Sequence, residues 1–129
     1  MIAALPDAPP VLLDDDGASY LTYRDDRFRC VAGQENLQGY ALRPNSPTQR
    51  FVASCCNSAM YLKYKRGHWV STYRNRYDPT DLPAVEMCTN TRFRTAESPL
   101  DPAIPAYRRF PLRLFGKLIG ARINMALGR

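Results

Sequence analysis

The chain of 129 residues has little of what most enzymes and membrane-spanning proteins need. It has a single histidine, and it lacks a glycine-rich phosphate loop and a strand-borne serine elbow. A Ser/His/Asp hydrolase would depend on His68, whose neighbours Gly67 and Trp69 indicate the start of a strand after a turn. No run reaches the roughly 18 apolar residues of a membrane span, and no signal-peptide pattern follows Met1. We therefore expect a cytoplasmic protein without a membrane span.

Glycine is also scarce, with seven residues against eleven prolines, and this balance argues against long helices outside the C-terminal region. Short runs rich in aromatic and β-branched residues lie between turn signals, which is typical of an antiparallel meander. The predicted strands cover 20–24, 27–32, 37–43, 49–54, 59–65, 69–73 and 89–94. We predict a mainly β fold with a C-terminal amphipathic helix.

The changes in composition predict four segments. Residues 1–18, with three prolines and an acidic run at Asp14–Asp16, should form an extended arm with a short strand-like anchor at 11–13. Residues 19–97 should form the β domain, and residues 98–110 a proline-rich connector. Residues 111–127 should form a helix that packs on that domain or extends it.

The predicted C-terminal helix has a narrow polar sector and a broad apolar arc. The polar sector contains Arg113, Lys117 and Asn124, and Pro111 suits the first turn. We expect the apolar arc to dock on the sheet of its own chain. A basic amphipathic helix can also lie on an anionic membrane surface or pair with a second copy, and these alternatives stay open.

Four cysteines, at positions 30, 55, 56 and 88, are the main candidates for chemistry. Cys55 and Cys56 are candidate metal ligands, because soft metals bind thiolates. Consecutive strand residues point to opposite faces, so the two sulfurs can share a ligand only where the chain turns sharply. The remaining ligands would have to be Cys30, His68 or Cys88, none of which has motif spacing, and Cys30 and His68 are also the candidate helpers. The competing interpretation is that both thiols are small packing residues at a strand end.

The formal charge is +6, from 18 Lys and Arg against 12 Asp and Glu. Lys63, Lys65 and Arg66 follow the cysteine pair and are candidate anion-binding residues. Arginines interleaved with aromatic residues can bind single-stranded nucleic acid by phosphate contact and stacking. A solvated basic face is the simpler interpretation, since no nucleic-acid motif accompanies these residues.

Two neighbouring segments carry a resemblance to a known family. Residues 51–62, FVASCCNSAMYL, and residues 27–40, RFRCVAGQENLQGY, resemble strands of the glutathione-dependent formaldehyde-activating enzymes and centromere protein V relatives. The resemblance extends from Tyr20 to Tyr73. It implies a β-tent fold, zinc held by cysteines, and carbon–sulfur lyase or adduct-forming activity on glutathione conjugates.

The chain departs from the pattern of that family at several positions. Cys56 takes the place of the second cysteine of a Cys-x-x-Cys pair, Ala53 takes the place of the first, and Asn57 stands at the usual glycine. Cys55 has no counterpart, and the family's upstream cysteine clusters are missing, since no cysteine precedes Cys30. We expect either a shortened relative or a reading frame that starts late, in both cases without a complete zinc site.

Two functions follow as expectations. The first is a catalytically degenerate or incomplete relative of the zinc-dependent carbon–sulfur lyases, which takes a glutathione-type small molecule at Cys55 and Cys56. The second is a non-catalytic basic module that binds nucleic acid or a protein partner. A homodimer formed through the C-terminal helix is compatible with both.

Overall fold

A computed structural model describes residues 5–13 and 17–129. Its regular elements are strands β1 (Tyr20–Arg24), β2 (Leu37–Ala41), β3 (Thr48–Ala53), β4 (Ser58–Tyr64) and β5 (Trp69–Tyr73), and helix α1 (Leu112–Ala126). The strands form one antiparallel sheet in the order β1-β5-β4-β3-β2. The predicted mainly β architecture with a C-terminal helix is confirmed.

Chain contacts divide the described residues into two units. The sheet unit contains the sheet and comprises residues up to Val11 together with Ser19–Tyr77. The helical unit comprises Leu12–Ala18 and Asp78–Arg129 and contains α1. The acidic run Asp14–Asp16 and residues 1–4 of the predicted arm lie outside the described residues.

The core of the sheet unit consists of small and β-branched residues on the central strands. Val52 and Val70 are each 1% exposed, and Ala59 is fully buried. In β4 one extra residue, Met60, stands opposite the step from Phe51 to Val52, so a β-bulge interrupts the ladder near the start of the strand. The bulge re-aims the chain next to the cysteine turn.

Two predicted strands are wrong. Residues 27–32 contain the end of a 3₁₀ turn, Asp25–Arg27, and no strand, because β1 pairs with β5 and β2 pairs only with β3, which leaves this segment without a ladder. Residues 89–94 contain a 3₁₀ turn at Thr91–Phe93, and the nearby pairing is a single bridge from Cys88 to Ala106. Asn90 before that turn has a φ of 58°, a left-handed conformation that ends extended backbone.

The strand-like anchor predicted at 11–13 is also wrong, because those residues pair with no strand and Leu13 N–H donates instead to Gly17 O at 2.7 Å. The predicted helix at 111–127 is confirmed, with Pro111 as its N-terminal flanking residue. Gly128 ends the helix in a left-handed conformation, with a φ of 68°, and donates its N–H to Met125 O at 3.1 Å.

Candidate functional site

The two adjacent cysteines lie in the hairpin turn between β3 and β4. Ala53 pairs with Ser58 across the ladder, so residues 54–57 form a four-residue loop. Cys56 N–H donates to Ala53 O at 3.3 Å, and Asn57 adopts a φ of 53°, which asparagine tolerates better than most residues. The side chain of Asn57 donates to Pro6 O at 2.8 Å and fixes the turn to the N-terminal segment.

This turn brings the two thiols together on one side of the chain. The Cys55 and Cys56 sulfurs are 3.7 Å apart, and both residues are exposed. In a regular strand they would point to opposite faces. The sharp turn that a shared ligand requires is present, so both sulfurs are accessible to one small molecule.

The surroundings of the pair make the two thiols chemically unequal. Cys56 Sγ lies 3.0 Å from Ser58 Oγ, and hydrogen bonds from the hydroxyl and the backbone N–H of Ser58 lower the pKa of the Cys56 thiol. The Cys55 thiol donates to Cys56 Sγ, and this hydrogen bond raises the pKa of Cys55. Cys56 is therefore the more acidic thiol of the pair and Cys55 the less acidic one.

Arg76, which lies beyond the end of β5, adds positive charge at this turn. Its Nε donates to Ala59 O at 2.9 Å, which holds the guanidinium beside the start of β4. The charge of Arg76 also lowers the pKa of Cys56, although less than the hydrogen bonds do. Its Nη2 is buried and has no hydrogen-bond partner among the described residues.

The other two candidate helpers do not join the pair. Cys30 lies in the loop between β1 and β2 and donates its S–H to Ala32 O at 3.1 Å. His68 lies in the turn between β4 and β5, at the opposite end of β4 from Cys56, about 20 Å away for a seven-residue strand. Its ring meets Trp69 edge-on, with the two centroids 5.1 Å apart.

The thiols and the nearby residues do not fit a protein-held zinc ion. Zinc sites in proteins usually have four ligands in structural sites and three in catalytic sites. In residues 5–13 and 17–129, no group of three or more His, Cys, Asp and Glu side chains is placed to hold a metal. The turn offers two thiols alone.

The predicted anion-binding residues Lys63, Lys65 and Arg66 lie at the other end of the sheet. Together with Arg27 and Arg43 they form a group that we call the basic rim. Antiparallel pairing brings the turn between β2 and β3 next to the turn between β4 and β5, and Lys65 N–H donates to Pro47 O at 2.7 Å. Lys63 pairs with Asp25 at 3.8 Å. Arg43, Lys65 and Arg66 form no ion pair with a carboxylate in the described part of the chain.

Sequence reasoning missed Ser58 and did not link Arg76 to the thiols. Ser58 could have been found, because a hydroxyl two residues after a cysteine in a turn is within reach of the sulfur. Arg76 carries no local signal, since the pairing of β4 with β5 brings it to the turn from twenty positions further along the chain.

Comparison with known proteins yields no match to a protein-family model, to a curated protein or to a solved structure. Across the described residues, no helix has both the length and the apolar character needed to cross a bilayer.

Proposed function

We propose that the cysteine turn captures the carbon group of a glutathione-type adduct, with Cys56 as the nucleophile and Cys55 as the proton donor. The observation that carries this proposal is the 3.7 Å pair of sulfurs in which Ser58 lowers the pKa of Cys56 and the Cys55 thiol donates a hydrogen bond to Cys56 Sγ. The family resemblance of residues 20–73 supplies the substrate class. The reaction uses side chains alone and needs no oxidant.

The proposed reaction is a thiol exchange at carbon, in which a hydroxymethyl group passes from the glutathione sulfur to Cys56. The Cys56 thiolate attacks the carbon between the sulfur and the hydroxyl group of a hydroxymethyl thioether, and a new carbon–sulfur bond forms to Cys56 Sγ. The carbon–sulfur bond of the adduct breaks, and the electron pair leaves with the glutathione sulfur. Cys55 S–H or water returns a proton to that thiolate, so the products are a hydroxymethylated Cys56 and free glutathione.

Arg76 gives the site a means of holding the substrate. Glutathione carries two carboxylates, and an arginine fork suits a carboxylate in both shape and charge. The Nε of Arg76 is already bound to Ala59 O, so the guanidinium is oriented before a ligand arrives.

The test is carbon transfer from a glutathione–formaldehyde adduct labelled at its methylene carbon, followed by peptide mapping of the reduced protein. We expect the label on Cys56, lost in Cys56→Ser and slowed in Ser58→Ala and Arg76→Gln. Cys30→Ser is the matched control, because Cys30 is a thiol of the same unit away from the turn. Labelling of Cys30 as fast as Cys56, or transfer no faster than to free cysteine, would overturn the proposal.

A second candidate function rests on the basic rim. The whole formal excess of positive charge belongs to the sheet unit, residues 1–11 and 19–77, where ten Lys and Arg stand against four Asp and Glu. Beside the rim, Tyr64 and Trp69 stack with their centroids 5.4 Å apart. Cationic side chains next to aromatic rings are the surface that single-stranded nucleic acid prefers.

Salt dependence of binding to a single-stranded oligonucleotide tests this second function. Each phosphate contact contributes a slope of about −0.7 to the plot of log affinity against log salt. We expect Lys65→Gln combined with Arg66→Gln to reduce the slope by about 1.4. Arg113→Gln combined with Arg122→Gln, which removes equal charge from the other unit, should leave the slope unchanged. A slope that responds equally to both double variants would indicate a net-charge effect and would refute a site at the rim.

A further inference from the structure

Helix α1 presents an apolar stripe to solvent. Leu112, Phe115, Ile119 and Ile123 are 87%, 47%, 60% and 54% exposed, and their spacing of three, four and four residues places them on one face. Phe110 before the helix and Leu127 after it are also more than half exposed. A row of large apolar side chains open to water is unfavourable, and in folded proteins such a face marks an interaction surface.

The opposite side of α1 belongs to the fold of the helical unit. Leu114, Leu118, Ala121 and Met125 are half-buried and share the face away from the stripe. Lys117 donates to a carboxylate oxygen of Glu86 in the same unit. The helix therefore has one face that packs within its unit and a second apolar face that faces outward, an arrangement that a simple core helix does not need.

Positive charge lies beside the outward stripe and in the chain just before it. From residue 102 to residue 129 the sequence has six Lys and Arg and no Asp or Glu. At 100° per residue, Arg122 lies beside Phe115 at one edge of the stripe, and Arg113 lies beyond Ile123 on the other side. Lys117 faces away from the stripe and pairs with Glu86. Immediately before the helix, Arg108 and Arg109 line an open cleft of the same unit.

The cleft before the helix adds a place for an anionic group. Its lining combines Arg92, Arg108 and Arg109 with the rings of Tyr107 and Phe110. Three guanidinium groups beside aromatic rings provide hydrogen-bond donors for a phosphate and apolar surface for the carbon atoms next to it. The cleft and the stripe follow one another along the chain, so one extended surface can engage both.

We propose that α1 and the cleft before it form a binding surface for anionic lipid, on which the helix lies in the plane of the interface. An apolar stripe of Leu, Ile and Phe flanked by arginines is the pattern of helices that insert one face between lipid headgroups and acyl chains. The flanking arginines then meet the headgroup phosphates, and the fifteen-residue helix is too short to cross the bilayer. This inference does not rest on the thiol chemistry of the other unit.

A second copy of the chain is the competing occupant of the stripe. It would bury Phe115, Ile119 and Ile123, but it makes no use of the guanidinium groups beside the stripe. Two copies meeting stripe to stripe would place cationic residues at the interface, and the helix has no acidic residue to neutralise them. Charge complementarity therefore favours the lipid surface.

The experiment is co-sedimentation of the full chain with vesicles of phosphatidylcholine alone and of phosphatidylcholine mixed with phosphatidylserine. We expect binding to the mixed vesicles and little binding to phosphatidylcholine alone. Arg122→Gln should weaken binding about fivefold, the contribution of one cation at an anionic surface. Ile119→Asn should weaken it at least tenfold, because the apolar face then loses its central side chain.

Two controls keep the result interpretable. Arg29→Gln removes one charge from an exposed position of the sheet unit outside the basic rim and should leave vesicle affinity unchanged. An equal loss in Arg29→Gln and Arg122→Gln would show that net charge alone drives binding. Ile119 is exposed, so Ile119→Asn should retain the circular dichroism spectrum of the parent chain. If Ile119→Asn does misfold, the comparison of Arg122→Gln with Arg29→Gln still decides the proposal.

The competing occupants give separate results. A dimer detected by light scattering, abolished by Ile119→Asn and accompanied by no vesicle binding, would assign the stripe to a second copy and overturn the proposal. A monomer that binds neither vesicle would also overturn it. Binding to both vesicles with equal affinity would remove the role of the arginines and would contradict the anionic specificity proposed.

Discussion

Replacement of Gly67 by alanine should destabilise the sheet unit through one aromatic ring. A Cβ atom at position 67 would lie 2.7 to 2.9 Å from three ring carbons of Trp69. Favourable carbon–carbon contacts need about 3.5 to 4.0 Å, so the ring must retreat by about 0.7 Å or more. Such a shift would disturb the stack of Trp69 on Tyr64. Overpacking costs about 1–3 kcal/mol, and the lower entropy of the unfolded alanine chain offsets about 0.4–1 kcal/mol of it. We expect a net loss of about 1–2 kcal/mol.

Urea unfolding measures this loss directly, because Trp69 is the single tryptophan of the chain and reports on its own environment. Gly39→Ala is the matched control, since the nearest atom to its added Cβ is a Phe51 ring carbon at 3.6 Å, an ordinary contact. That control should stay within about 0.5 kcal/mol of the parent chain. In a Trp69→Leu background, followed by circular dichroism, the effect of Gly67→Ala should disappear. Gly67→Ala as stable as the parent chain would refute the reasoning.

Three further outcomes follow from the structure. Val70→Ala removes two buried methyl groups and should cost about 2–3 kcal/mol in urea unfolding. The rate of Cys56 alkylation by iodoacetamide should rise at lower pH than the rate of a free thiol, and Ser58→Ala should move this rise to higher pH, because the hydrogen bonds of Ser58 lower the pKa of Cys56. The hydrogen bond from Lys117 lowers the pKa of Glu86 in the folded protein. The stability that this pair contributes is therefore present above the unfolded pKa of Glu86 and is lost as the pH falls through its folded pKa. Glu86→Gln should therefore lower the free energy of unfolding by less than about 1 kcal/mol near neutral pH and leave it unchanged in acid.

Each of these outcomes has a control and a contrary result. Leu112→Ala removes an exposed side chain and should change the free energy of unfolding by less than about 0.5 kcal/mol. An equally small effect of Val70→Ala would contradict the burial of Val70. Alkylation of Cys55 before Cys56 would contradict the lower pKa of Cys56. Glu97→Gln changes the same charge elsewhere in the helical unit, and an equal effect of Glu97→Gln and Glu86→Gln would exclude a specific contribution from the Lys117 pair.

The sequence predicts the architecture better than the site. Strands β3, β4 and β5 were predicted to within one or two residues, because apolar and aromatic residues alternate there between clear turn signals. Segment 27–32 has the same composition as a strand, but strand formation depends on a partner that local sequence does not reveal. The cysteine pair was identified from composition, whereas the contribution of Arg76 depends on tertiary pairing between β4 and β5. The difference in pKa between Cys55 and Cys56 depends on the distances from Cys56 Sγ to Cys55 Sγ and Ser58 Oγ, which are set by the folded turn.

The placement of the cysteine turn and the basic rim at opposite ends of β4 has a consequence for electrostatic coupling. The two features are separated by about 20 Å along the strand. This distance is more than twice the Debye length of about 8 Å at physiological ionic strength, so solvent ions screen most of the field that the rim would exert on Cys56. A polyanion bound at the rim should therefore leave the ionisation of Cys56 unchanged in physiological salt. In very dilute buffer, where the Debye length reaches about 30 Å, the same polyanion should make the thiol harder to ionise.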